Sequence, residues 1–507
     1  MARGAARFAA GSSLRLPSPA AQNSAELVGV IDTGSNSVRL VVYDGLRRTP
    51  IPLFNEKVFC GLGESVLATG GIGGEAAESC RGALRRFAAI LRAMEVHAVE
   101  AVATAASREA ANGKEFIQAV SREIGIDIRI ISGADEGRFS ALGVLAGNPK
   151  ARGLAGDLGG GSIELVSLKD GAPGKSVTLP LGPLKMKKSL FRQMEQQIDE
   201  RLGAEGWLKD FAGETLYAVG GSWRALAQAH MFQKKHPIRV IHEYAIEAPE
   251  ALRFTRELFL TPQAELDKTP GLSSRRSATA APAAAVLNRL VRETGVRRVV
   301  FSAYGLREGL LFTRLPEDLQ AQDPLVTACE EKSGRLGRFP DHAEEITSWT
   351  SALFENESVS SARLRHCASL LSDIGWRVHP DHRADQCLME VLHSPLAGVS
   401  HRGRALLALA VYFRYRAEPA EGLVGTLMEF VGKEAAGARL LGLALRLAHT
   451  LTGGTGGILN NCPLHLIPNG LRLRIPAKFA DLDGEVLRKR LRQLAKALNR
   501  EALLEIG

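Results

Sequence analysis

No two cysteines in this chain stand in CxxC spacing. The six present (Cys60, Cys80, Cys329, Cys367, Cys387 and Cys462) are scattered singly, which argues against a zinc site and against a disulfide framework. Scattered reduced thiols suit a cytosolic enzyme, so a cytoplasmic location is expected. No apolar run approaches the roughly 20 residues of a membrane span. Residues 1–25 lack a sustained apolar core, which argues against a secretory signal, and they carry Arg3, Arg7 and Arg15 with no acidic residue before Glu26. An organellar transit peptide has that composition. A disordered bacterial extension has it too, and that reading is preferred.

What is present is ordinary in bulk. At 507 residues the length suggests roughly two to four domains. Hydrophobic residues make up 45% and charged residues 23%, enough for sizeable cores. The formal net charge of +9 and pI of about 9.3 favour an anionic partner without choosing among phosphate compounds, nucleic acid and anionic surfaces.

Two stretches read alike. Val28–Ser37 is an apolar strand ending in Asp32, followed by Thr33-Gly34-Ser35-Asn36-Ser37 and a second strand. Leu154–Ser162 ends its strand in Asp157 and continues Leu158-Gly159-Gly160-Gly161-Ser162 before Ile163-Glu164-Leu165-Val166. An Asp-Gly pair closes each second strand, at Asp44-Gly45 and Asp170-Gly171. The interval is of domain length, not a solenoid period. Glycine permits positive φ and close backbone approach. Successive N–H groups then form a nest for phosphate oxygens, and the strand-end carboxylates Asp32 and Asp157 can hold water on a divalent cation. A single such loop is as readily a bare hairpin turn. Two matched copies point to a phosphate chain or nucleotide clamped between them.

Along the chain, three strands over 27–60, a helix over 75–95 and strands at 96–103 and 127–132 make a first α/β domain, residues 26–150. Ser107 is a candidate cap for the helix after the third of these segments. Residues 151–315 repeat the order: three strands over 154–180, a helix over 185–203, a strand at 216–219 ending in Gly220-Gly221-Ser222, helices near 247–259 and 280–294, and a strand at 299–301. Residues 316–324 read as a linker. Residues 325–450 have helical periodicity, 464–475 reads as a hairpin, and 483–504 as an amphipathic helix with Leu487, Leu491, Leu494 and Leu498 inward. Its Arg488–Lys496 charges read first as a solvated face.

On these motifs the chain resembles the exopolyphosphatase / guanosine pentaphosphate phosphohydrolase family of the actin, Hsp70 and sugar-kinase superfold. The matching residues are Val30–Ser37, Ile130–Arg138, Asp157–Leu165 and Gly305–Leu310, in the family's order. The resemblance implies two ribonuclease H-like domains around a cleft. The region 325–507 is similar to the helical domain of longer members, related to HD phosphohydrolases and carrying a small terminal α+β piece. There Ser372-Asp373 replaces the His-Asp dyad. Ser-Asp cannot supply paired metal ligands, so His366, His379, His382, His393 and His401 read as surface or core residues and the domain as non-catalytic.

Phosphoanhydride hydrolysis needs charge neutralisation, an in-line water and a base to orient it. The expected phosphate binders are Gly34, Ser35, Asn36, Ser37, Gly159, Gly160, Gly161 and Ser162. Arg108 is expected to face the terminal phosphate, as the family's Arg does, through a bidentate fork. Glu136 falls at the family's catalytic Glu and is the expected base, with Asp135 as a local capping carboxylate. Asp157 and Glu164, with Asp32, are expected to hold magnesium, potassium remaining an open second cation. Gly220-Gly221-Ser222 reads equally as an adenosine contact, as in nucleotide-binding relatives, or as a close-packing turn. The expected activity is exopolyphosphatase. Guanosine pentaphosphate hydrolysis is the alternative, and polyphosphate/ADP phosphotransfer is the less favoured third. The expected partners are inorganic polyphosphate or guanosine pentaphosphate and a second copy of the chain, with no nucleic acid and no membrane. A basic groove is expected on the C-terminal region, from Arg363, Arg365, Arg377, Arg402, Arg404 and the Arg488–Lys496 helix.

Overall fold

The computed structural model describes residues 26–186, 191–339 and 341–507; the N-terminal extension lies outside them, as does part of the stretch expected to be helical at 185–203. The first sheet runs β3-β2-β1-β4-β5. Its strands are β1 (Val28–Thr33), β2 (Ser37–Tyr43), β3 (Pro52–Phe59), β4 (Ala98–Ala103) and β5 (Arg129–Ile130). β1, β2 and β3 form an antiparallel meander, and β4 joins β1 in parallel. The second sheet repeats this with β6 (Gly153–Leu158), β7 (Ile163–Lys169), β8 (Ala172–Leu179) and β9 (Thr215–Val219). It adds β11 (Arg298–Phe301) and an edge strand β10 (Tyr244–Glu247) that the sequence reading missed. Four residues beside a helix start carry too little alternation to announce a strand. β5 shrinks to two residues for the opposite reason: Asp127–Ser132 is apolar enough, but only its middle finds a partner on β4.

Among the described residues, eleven helices accompany these sheets. In order they are α1 (Leu62–Thr69), α2 (Gly74–Ala93), α3 (Ala105–Glu109), α4 (Gly113–Ile124), α5 (Gly133–Gly147), α6 (Phe191–Gly203), α7 (Gly221–Gln233), α8 (Ala248–Leu260), α9 (Gln263–Leu266), α10 (Ser274–Thr294) and α11 (Leu306–Phe312). Two of them are exchanged between the halves. On α5, Ala141, Val144 and Leu145 pack with Ala155, Val166 and Leu168 of the second sheet. On α11, Leu310 and Leu311 pack with Val28, Val30 and Val41 of the first. The two helices cross where glycine is indispensable: a Cβ on Gly309 would lie 1.8 Å from the Phe139 carbonyl oxygen, and one on Gly143 2.1 Å from that of Gly305.

The expected linker is not loose. It holds a short helix, Glu317–Ala321, and Arg48 of the first half donates to the Gln322 carbonyl at 2.9 Å. Among the described residues, helices joined by short connections follow from Pro324 to Thr452, ahead of a small sheet β12 (Leu464–Ile467), β13 (Gly470–Ile475) and β14 (Glu501–Ile506). The helix expected over 483–504 spans only Glu485–Ala497. Asn499 turns the chain at φ 54, and Glu501–Ile506 then runs parallel to β13. All six cysteines are free and buried. Among the described residues no helix is long and apolar enough to cross a membrane.

The helical region grips both halves. Arg335 pairs with Asp44 at 2.7 Å, and His401 meets His236 of the second half at 2.8 Å. The groove expected on it is not formed. Arg404 is fully buried and donates to the carbonyls of Ser394 and Leu396 at 2.7 Å. Arg363 is taken by Asp323 and the Gly398 carbonyl, Arg365 by Glu357, Arg402 by Glu434 and Arg488 by Asp483. Arg377 lies over the Trp376 ring. Lys489, Arg492 and Lys496 are exposed on a solvated face. At the dyad position Arg338 donates to both oxygens of Asp373, at 2.7 and 2.9 Å. His366 meets Thr347, the His379 and His382 rings lie tilted beside each other, and His401 faces the second half.

Candidate active site

The two loops fold alike. In each, the glycine after the strand sits over the carbonyl three residues on: a Cβ on Gly34 would be 3.4 Å from the Ser37 oxygen, and one on Gly159 3.4 Å from that of Ser162. None of Gly34, Gly159, Gly160 or Gly161 has positive φ, contrary to expectation; these glycines serve close approach. Gly160 faces Ser35, whose Cβ would be 3.2 Å from its own, with Leu184 wedged alongside. The first loop is braced from behind, because Cys60 and Gly61 donate to the Asn36 carbonyl and Gly63 to that of Ser35.

Between the loops lies a cleft of about 170 Å³, lined by Asp32, Gly34–Ser37, Glu136, Asp157, Gly159, Gly160 and Ser162 among others. Gly161 is absent from that lining and lies against Lys185. Ser162 is 2% exposed and donates its hydroxyl to Glu164 Oε1 at 2.6 Å, so this side chain is turned away from a phosphate. Gly220-Gly221-Ser222 lines the cleft and is also a close-packing turn. Gly220 takes φ 103, and a Cβ on Gly221 would meet Arg276 Nη2 at 2.5 Å.

Glu136 sits in the first turn of α5, whose N-terminus Ser132 caps by accepting from the Asp135 N–H at 3.0 Å. Asp135 is exposed and accepts from the Ser132 hydroxyl, the local role expected of it. Arg108 donates to Glu136 Oε2 at 3.2 Å and to the Ile131 carbonyl at 2.8 Å, so the expected base and the expected phosphate ligand are paired. Ser107 does not cap; it lies inside α3 with its hydroxyl buried and unpartnered.

Four carboxylates converge here. Asp157 and Glu164 are directly opposite on β6 and β7. Burial pushes Glu136 up to about 7, and Asp157 and Asp32 push it the same way against Arg108. Burial likewise raises Asp32 and Asp157, and burial with Glu136 as neighbour raises Glu164 well above its ordinary value. Glu164 is buried behind the cleft lining, with Oε2 unpartnered. Crowded acids with an orphaned buried oxygen are a donor set that a divalent cation would relieve. They are not a finished shell: among the described residues no three His, Cys, Asp or Glu side chains are gathered closely enough to enclose a metal.

The far wall of the cleft is cationic, and the sequence reading missed it. Arg39, Lys57, Arg224, Arg276 and Arg307 line it from five different elements. Arg39 and Lys57 are directly opposite on β2 and β3. Burial, then Arg276, Arg39 and Arg224, push Lys57 down to about 7, and burial with Arg307 and Arg224 takes Arg39 down to about 10. Like charges so placed repel unless an anion lies between them. Past Arg39, Arg224 and Arg307 a second cavity of about 240 Å³ opens, lined by Tyr43, Arg47, Arg48, Tyr304 and Phe312 among others.

Known proteins share this architecture. The chain is 27% identical over 441 residues to Retrograde regulation protein 2 of Saccharomyces cerevisiae, covering 77% of this chain and 73% of that one. It is 27% identical to Exopolyphosphatase 1 of Mycobacterium leprae, over 61% of this chain and 95% of that one. The crystal structure of an exopolyphosphatase from Cytophaga hutchinsonii superposes with a TM-score of 0.53 at 25% identity, over 57% of this chain and 97% of that one. The model of the exopolyphosphatase C-terminal domain matches residues 325–504, and that of the Ppx/GppA phosphatase family matches residues 41–318. The chain therefore belongs to the Ppx/GppA phosphatase family of phosphoanhydride hydrolases.

Proposed function

We propose that the chain is an exopolyphosphatase that removes orthophosphate from the end of inorganic polyphosphate. The observation that carries this reading is the cationic wall. The two loops suffice for a terminal phosphate, and five further cations match phosphates that follow it in a chain. Glu136 accepts a proton from the attacking water while the P–O bond to the next phosphate breaks, and the shortened chain leaves along Arg39, Lys57, Arg224, Arg276 and Arg307. Arg108 exchanges its bond to Glu136 for the terminal phosphate, which frees the carboxylate for water. Asp157 and Glu164, with Asp32 through water, are the residues to hold magnesium, which when bound neutralises phosphate oxygens.

The second cavity favours a second reading. Its aromatic lining of Tyr43, Tyr304 and Phe312 suits a nucleobase, as hydrolysis of guanosine pentaphosphate would require. Orthophosphate release from both substrates, compared as kcat/KM with and without ADP, separates the readings. A preference above tenfold for the polymer is expected. The same preference for the nucleotide overturns the first reading, and net phosphate transfer to ADP overturns hydrolysis.

A further inference from the structure

Resting on the cation-assisted hydrolase reading, we infer that Ser140 is a positioning residue for Asp157: its hydroxyl ties down one carboxylate oxygen and leaves the other for a divalent cation. Ser140 is one helical turn beyond Glu136 on α5, so both lie on the face turned to β6 and β7. Gly137, between them, lets the helix lie close, since a Cβ there would stand 3.1 Å from the Glu164 Cβ.

A buried helical serine usually bonds back to a carbonyl of its own helix. In this chain Thr255, Thr294 and Ser369 do so, donating to Ala251, Leu290 and Arg365. Ser140 is 2% exposed and instead donates across to Asp157 Oδ2. Two glycines hold the carboxylate in a slot. A Cβ on Gly220 would lie 2.9 Å from Oδ1, and one on Gly305 4.0 Å from Oδ2. Ser162 treats the opposite carboxylate likewise, donating to Glu164 Oε1 at 2.6 Å while Oε2 has no partner. Two serines thus each satisfy one oxygen of two facing carboxylates. A hydroxyl does this without bringing charge, where lysine or arginine would neutralise the pair and exclude a cation.

The test uses the full-length chain and Mn²⁺ as probe, with binding followed by electron paramagnetic resonance in the absence of substrate. S140A is expected to weaken Mn²⁺ binding by about 10- to 100-fold, as loss of a partner to a ligating carboxylate does. S140T, which keeps the hydroxyl, is expected to restore it. In turnover, S140A should raise the cation concentration needed for half-maximal rate while kcat at saturating cation stays near wild type. S140C, close in shape and a poor donor, repeats the measurement if S140A melts early. The assignment is overturned if S140A and S140C bind Mn²⁺ like wild type, or if wild type binds none that D157N weakens. Failure of the hydrolase reading itself is seen separately, as no orthophosphate release by wild type at saturating cation.

Discussion

Glu136 stands between burial, which holds its proton on, and the Arg108 guanidinium, which helps release it. The base works ionised, so kcat/KM of the free enzyme should rise with pH through about 7, the value for Glu136. Lys57 is also held down to about 7 and loses its charge above that, so capture of the polyanion should weaken there and kcat/KM should fall. K57R keeps a charged group and should flatten only the falling limb. R108A removes an influence that lowers Glu136 and should move the rising limb to higher pH. E136Q should lose about 10²- to 10⁴-fold in kcat with polyphosphate affinity spared. Profiles without a limb near neutrality, or full turnover by E136Q, would exclude this assignment. The place of Glu136 at a helix start was legible in the sequence because its strand, cap and helix are contiguous, while its role as base rested on the family resemblance. Lys57 and Arg276 were not, since single basic residues far apart look like ordinary surface until the fold brings them to one wall.

At the level of elements, the repeat of strand, loop and strand was readable in both halves because its apolar run and glycines lie within one short window. The exchange of α5 and α11 was not, because an amphipathic helix announces that it has a buried face and never which sheet will cover it. The crossing supplies a stability test. G309A forces a methyl into the Phe139 carbonyl, 1.8 Å from the ideal Cβ, with backbone and not a flexible side chain in the way. It should cost about 3 kcal/mol, at the upper end for overpacking. Thermal unfolding should show this as a lower melting temperature, whereas G82A, in the middle of α2 with nothing within 4 Å of its Cβ, should raise it slightly, as alanine for glycine does inside a helix. Equal melting of the two variants would remove the crossing from the account.

For the whole molecule, net charge forecast the kind of partner but not where it binds. Arg363, Arg365, Arg402 and Arg404 looked free in sequence because their carboxylate and carbonyl partners arrive only on folding. If the polymer is held by the cleft wall, R224A/R276A should lower long-chain affinity and flatten its dependence on salt, since fewer counterions are released; that logic is borrowed from nucleic acids. K489A/R492A, on the exposed helix, should change neither. Equal salt slopes for the two double variants would return the polymer to the C-terminal surface. The crossed helices also stitch the molecule shut: each half is completed by a helix from the other stretch of chain, so the two should melt together in one transition rather than one after the other.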